Sequence, residues 1–282
     1  MLTENIKFKN FLLKSNKSKV KKDLLKLMNS NSEVINSLTS NYIFSFSKKI
    51  IQKYKNFQEI RIIGMGGSIL GSQAIYSFMK NKIKKKVHFI NNLTRDISKK
   101  KEKKILNLVI SKSGNTLETI LNSNILISNN DKNVFITENK NSYLKNLAYK
   151  LKADIVHHNN FIGGRYSVLS EVGMLPAELI GLNPQKFKQL NSLIKNKKFL
   201  NNLITNVANI INLIKKQKYN SIILNYDKNS ENLFLWYQQL VAESLGKKSK
   251  GILPTISSMP KDNHSLMQLY LDGTKKSFYT FF

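Results

Sequence analysis

Short β-branched runs end in glycine- or hydroxyl-rich loops and then give way to helical patterns. This alternation constrains the fold more than any other feature of the chain. Glu59-Ile60-Arg61-Ile62-Ile63 ends at Gly64, and a helix is expected from about Ser68 to Met79. Lys86–Ile90 is a second strand, and Leu106–Ile110 a third. The third leads into a loop at Ser111–Thr116 and a helix through about Ser128. Asn133–Thr137 and Ala153–Val156 are the fourth and fifth. Strands separated by helices predict an α/β fold with a parallel sheet covered on both faces. Such sheets bind ligands at the carboxyl ends of their strands.

The flanking regions are less regular. Residues 1–50 read as a helical N-terminal arm, with Leu24, Leu25 and Met28 on one side of Val20–Met28. A bend is expected from Leu175-Pro176 to Pro184. A helical stretch follows over Asn191–Lys215, then a strand at Ser221–Asn225 and a helix at Glu231–Leu245. Residues 264–272 predict a short helix, and Ser277–Phe282 a strand. The domains expected are therefore residues 51–185 and a second, unfinished α/β unit at 186–282.

Composition narrows the classes of function. There is no cysteine, so disulfides, thiolate metal sites and cysteine nucleophiles are excluded. No apolar run approaches the roughly 20 residues that span a bilayer. Met1–Asn5 lacks the order of a signal peptide, so a cytoplasmic location is expected. The net charge of +29 invites a nucleic-acid reading. The lysines are spread along the chain, however, with short clusters only at Lys82–Lys86 and Lys99–Lys104. They accompany abundant asparagine and isoleucine, which share A/T-rich codons. No specific nucleic-acid binding is expected. The positive field still favours anionic metabolites.

Against that lysine background there are three arginines, Arg61, Arg95 and Arg165. Arg165 follows Gly163 and Gly164, as if placed for planar, multi-donor recognition of an anion or oxyanion. Two loops upstream suit an anion too. Gly64-Met65-Gly66-Gly67-Ser68-Ile69-Leu70-Gly71 joins a strand to a helix, where free N–H groups and the helix dipole converge. It is not a dinucleotide fingerprint, since residue 69 is isoleucine. It is not a Walker loop either, since Ser72 stands where lysine is needed. A plain tight turn with close-packed glycines remains the alternative. In Ser111-Lys112-Ser113-Gly114-Asn115-Thr116 three hydroxyls can donate to phosphate oxygens, and Lys112 can add charge. Thr116 also suits a helix cap.

Acid–base candidates lie downstream. Gln239 and Glu243 share a helix face, and Val241, Ala242 and Trp236 would raise the pKa of a buried carboxylate there, whereas an exposed helical glutamate is the reading its local sequence favours. His264, beside Pro260, can shuttle protons or can be a polar cap residue. His157 and His158 read as structural or exposed, and His88 as packing. No spacing resembles a metal site.

Five segments, GMGGSILG, SKSGNTLET, GGRYSVLSEVGMLP, WYQQLVAESLGK and KDNHSLMQLYLDG, occur in the order seen in glucose-6-phosphate isomerases. The chain resembles that family over about residues 60–273. The resemblance implies two sugar isomerase (SIS) domains, each a doubly wound parallel sheet, the second incomplete here. It implies interconversion of glucose 6-phosphate and fructose 6-phosphate in glycolysis and gluconeogenesis, with no metal or organic cofactor. Ser111, Ser113 and Thr116, with the backbone at Lys112, would hold the phosphate. Gly67, Ser68 and Gly164 would line the sugar site, and Gln239 would bind sugar hydroxyls. Glu243 would move the proton between C1 and C2, and Arg165 would stabilise the enediolate. His264 would assist ring opening from the partner subunit of a homodimer. The family chain is longer and carries a C-terminal lysine used in ring opening. No residue here matches it, so a fragment or truncated form is expected. Two alternatives stay open. One is a non-catalytic phosphosugar-binding module or inactive fragment. The other is a dual phosphoglucose/phosphomannose isomerase, against which Gln239 argues, because that branch would carry threonine there.

Overall fold

The computed structural model describes residues 15–93, 105–128 and 131–282. Arg95, the Lys99–Lys104 cluster and the first fourteen residues of the expected arm lie outside them. Helices α1 (Lys17–Met28) and α2 (Glu33–Asn36) come first, followed by α3 (Lys48–Tyr54) and β1 (Glu59–Gly64). Then come α4 (Leu70–Met79), β2 (Lys86–Ile90), β3 (Ile105–Ile110), α5 (Leu117–Leu126), β4 (Lys132–Thr137), α6 (Tyr143–Lys150), β5 (Asp154–His157) and α7 (Glu171–Leu179). The remainder is α8 (Leu190–Lys195), α9 (Lys197–Lys215), β6 (Asn220–Asn225), α10 (Glu231–Leu245), β7 (Leu253–Ser258), α11 (Met267–Asp272) and β8 (Ser277–Phe281). Two compact units result. One is Tyr42–Phe187; the other joins Lys188–Phe282 to the described residues up to Asn41.

In the first unit five parallel strands lie in the order β2-β1-β3-β4-β5. Period-2 burial sends alternate residues to opposite faces. Ile60, Ile62, Leu106, Leu108, Ile110, Val134 and Ile136 pack with Leu175 and Leu179 of α7. Ile63, Val109 and Phe135 pack on the other face with Leu144 and Ala148 of α6. The chain runs outward from β1 to β2, then returns to β3 on the other side of β1. The switch point of this doubly wound sheet therefore lies between β1 and β3, where ligands of such sheets bind.

One row crosses the second face as an exception to the apolar rule. Arg61, Asn107 and Asn133 are lateral neighbours on β1, β3 and β4. Arg61 Nη1 donates to Asn107 Oδ1 (3.2 Å) and to the Leu126 carbonyl (3.1 Å). Asn107 Nδ2 donates to Asn133 Oδ1 (2.8 Å) and to Asp131 Oδ2 (3.2 Å). Asn107 is wholly buried, so its amide depends on these partners.

Several boundaries differ from expectation for local reasons. The predicted bend at Leu175-Pro176 is instead continuous helix, and the chain turns only after Leu179. Pro176 lacks the N–H that would bond Val172. Ser72 Oγ of α4 reaches that carbonyl at 3.5 Å. The single stretch expected over Asn191–Lys215 is two helices, because Asn196 caps α9 by accepting from the Phe199 amide (3.1 Å). Helix α4 begins at Leu70 and not at about Ser68, after a single tight turn at Gly66–Ser68.

In the second unit three parallel strands lie in the order β7-β6-β8. Strand β7, which contains Pro254, is not among the strands expected from the sequence. Within this sheet β7 is an outer strand, where proline is tolerated. Ile222, Leu224 and Met259 form a small core with Met267, Tyr270 and Tyr279. No helix among the described residues is long and apolar enough to cross a membrane.

Candidate functional site

Both anion-type loops leave strands that flank the switch point. After β1, Met65 stays extended and Gly66 takes a φ of 51°. The turn over Gly66–Ser68 closes through Ser68 N to Met65 O (3.0 Å) and Ile69 N to Gly66 O (3.0 Å). Gly67 lies directly against the peptide joining Gly164 to Arg165. A Cβ on Gly67 would stand 2.2 Å from Gly164 C and 2.4 Å from Arg165 N. Ser167 Oγ donates to Gly164 O (2.7 Å) and lies 3.4 Å from Gly67 O. Gly67, Ser68, Gly164 and Arg165 thus form one cluster of this unit. The Arg165 guanidinium stacks on the Tyr166 ring, 4.5 Å from its centroid.

After β3, the loop is built around Ser111. Its Oγ lies 2.9 Å from Thr116 Oγ1 and accepts from Gly114 N (3.2 Å). Gly114 has a φ of 67°, and a Cβ there would stand 2.2 Å from Ser142 Oγ, so only glycine fits. Ser113 Oγ accepts from Asn115 N (3.2 Å). Thr116 sits at the N-cap of α5 but makes no side-chain cap bond; its hydroxyl is turned to Ser111. The Lys112 carbonyl accepts from Glu138 N (3.0 Å) and Thr137 Oγ1 (3.3 Å). A planar trans peptide then directs the Ser113 N–H away from β4. The first-turn amides of α5 add to the same electropositive end.

The Lys112 ammonium is committed elsewhere. It donates to the Asn160 carbonyl (2.8 Å) and lies 3.4 Å from Glu138 Oε1, while Lys140 lies 2.8 Å from Glu138 Oε2. Burial pushes the Glu138 carboxyl up, but bonds from Lys140 and Lys112 outweigh it and hold it below the ordinary carboxylate range. Lys112 therefore serves the loop through its backbone and as a strut.

The second unit carries the acid–base candidates. On α10, Gln239 Nε2 donates to Glu243 Oε2 (3.2 Å), as their spacing predicts. Glu243 and Ala242 are exposed, which agrees with the exposed-glutamate reading and not with burial by Val241, Ala242 and Trp236. The helix turns Gln238 toward β7, where it donates to the Pro254 carbonyl (2.7 Å). Five residues on, Glu243 is about 140° around the helix. His264 is exposed and precedes α11 rather than lying in a helix over 264–272. Asp262, two residues earlier, is buried and accepts from Ser257 Oγ (2.9 Å) and Ser258 N (2.8 Å). Burial pushes its carboxyl up, and these bonds prevail and hold it below the usual aspartate value.

Sequence spacing carried no signal for Glu138, Ser167 or Asp262, whose partners are set by tertiary placement. The adjacent histidines also separate: His157 is exposed, while His158 is 1% exposed. Burial lowers His158 below the ordinary 6.5, against the opposing pull of the Asn159 carbonyl and Glu171. Below 6.5 the unfolded chain then binds more protons than the folded one, so stability falls as pH drops toward the folded value. Urea midpoints at about pH 7.5 and about pH 5.5 are expected to differ less in His158→Gln than in the parent chain.

Residues 3–259 match the sequence model of the family described as phosphoglucose isomerase. The chain belongs to the phosphoglucose isomerase family. It is 36% identical over 252 residues to the glucose-6-phosphate isomerase of Methanocaldococcus jannaschii, covering 82% of this chain and 62% of that relative. It is 33% identical to the glucose-6-phosphate isomerase of Mycoplasmopsis pulmonis, covering 81% of this chain and 59% of that one. The chain therefore spans about three fifths of the length of these curated relatives. Among solved structures, a hypothetical protein from Thermus thermophilus superposes with a TM-score of 0.73 at 20% identity, covering 94% of this chain and 69% of that one. The tagatose-6-phosphate ketose/aldose isomerase of Escherichia coli gives 0.53 at 13% identity, covering 89% and 66%. These structural likenesses bear on the fold alone. They agree with the α/β arrangement of parallel sheets described above.

Proposed function

We propose that this chain carries the chemistry of an aldose–ketose isomerase acting on glucose 6-phosphate and fructose 6-phosphate. One observation carries the proposal. A hydroxyl-rich loop at a helix N-terminus and a glycine turn pressed against the Arg165 peptide flank one switch point. Ser111, Ser113, Thr116 and the backbone at Lys112 bind the phosphate. Gly67, Ser68 and Gly164 line the sugar, and Gln239 contacts its hydroxyls. Glu243 takes the proton from one of C1 and C2 and returns it to the other. Arg165 holds the enediolate oxygen, a charge that is fixed before it is needed. His264 assists ring opening and, being exposed on its own subunit, is offered to a partner in a homodimer. No metal or organic cofactor takes part, and the setting is cytoplasmic sugar metabolism. Turnover of purified residues 1–282 on fructose 6-phosphate, with Glu243→Gln as blank, tests the reading. A rate above the blank is expected. A folded chain that binds the sugar phosphate without turnover would replace the isomerase with a binding module.

A further inference from the structure

We infer that Asp262 is a positioning residue for His264, fixing the turn that presents the imidazole. The inference rests on the isomerase reading for its effect on turnover, and on geometry alone for its effect on order.

His264 is exposed, and it follows a helical turn of three residues, Lys261–Asn263. A single exposed turn has too few internal bonds to hold a side chain in place. Here the restraint comes from one buried carboxylate, 8% exposed. Its Oδ2 reaches back to the end of β7, accepting from Ser257 Oγ (2.9 Å) and Ser258 N (2.8 Å). Its Oδ1 reaches forward past His264, accepting from Ser265 Oγ (3.3 Å). The Asp262 carbonyl accepts from Leu266 N (2.9 Å) and Ser265 N (3.4 Å). The His264 amide itself bonds the Lys261 carbonyl (3.2 Å). Chain on both sides of the histidine is thus tied to a single anchor, and that anchor is tied to a strand. Bonds from N–H to a charged carboxylate are the strong kind. Lys261 Nζ, 3.7 Å from Oδ1, is exposed and adds little.

The test compares Asp262→Ala, Asp262→Asn and the parent by amide relaxation at His264 and by turnover on fructose 6-phosphate. The His264 order parameter is expected to fall from a rigid value of about 0.85 toward about 0.6 in the alanine variant. The asparagine variant should lie between, since its side-chain oxygen still accepts from Ser258. Asp262→Ala should lower kcat by about 10²-fold with KM unchanged, as misplacement of a reacting group does. Adding it to His264→Ala should cost nothing further, because the two act through one group. A purely structural role would instead add its loss to that of His264→Ala. An unchanged His264 order parameter, or additive losses, overturns the inference. Absence of turnover in the parent defeats the isomerase reading separately, and the order parameter then decides alone. If Asp262→Ala does not fold, Ser265→Ala removes the forward tie only; lowered order at His264 supports the inference and unchanged order overturns it.

Discussion

Gly67→Ala is expected to lower both stability and turnover. The added methyl would stand 2.2 Å from Gly164 C, 2.4 Å from Gly164 O and 2.4 Å from Arg165 N. All three are backbone atoms, so no side chain can swing aside to relieve the clash. Either the β1 turn lifts from the switch point or the Gly164–Arg165 segment retreats. Overpacking of this kind costs about 1–3 kcal/mol. The kinetic loss should be of similar size, because a displacement of about 1 Å at a reacting group costs about 10²-fold, or about 2.7 kcal/mol. Thermal unfolding and steady-state rates measured together check both. A variant with parental melting temperature and parental kcat/KM would mean that the two segments do not share a site.

Glu243→Gln is expected to lower isomerisation by about 10²–10⁴-fold, the range for loss of a general base. The substitution is isosteric. A glutamine oxygen at 243 can still accept from Gln239 Nε2, which now donates to Glu243 Oε2 at 3.2 Å. Substrate affinity should therefore change little. Deuterium exchange at C2 of the sugar phosphate reads the proton transfer directly, and titration of the same variant reads binding. Equal losses in both would assign Glu243 to binding rather than to proton transfer.

How far the sequence reveals these features depends on whether the deciding contacts are local. Strands β1, β3 and β4 are legible because β-branched runs are short, and Gly64 and the Ser111–Thr116 loop punctuate them. The Gln239–Glu243 pair is legible because helical spacing alone brings it together. Pro176 misleads because its relief comes from Ser72, about a hundred residues away. Strand β7 is hidden because it contains Pro254, and only its outer place in the sheet tolerates a proline. Lys112 looks like a charge for the ligand until Glu138, at the end of the neighbouring strand, is seen to take that charge. The anchor at Asp262 has no spacing signature; only the closure of β7 over the turn reveals it.

The polar row of Arg61, Asn107 and Asn133 bears on errors of assembly more than on strength. Sliding β3 by one residue against β1 would move Asn107 to the opposite face and set Leu106 or Leu108 beside the Arg61 guanidinium. Neither amide nor guanidinium would then find its partners, and the Asn107 amide would be stranded away from water. Apolar neighbours such as Ile63, Val109 and Phe135 would tolerate many lateral pairings. The polar row tolerates one. It acts as a key cut into an otherwise forgiving sheet, and it holds the loops that leave β1 and β3 level with each other.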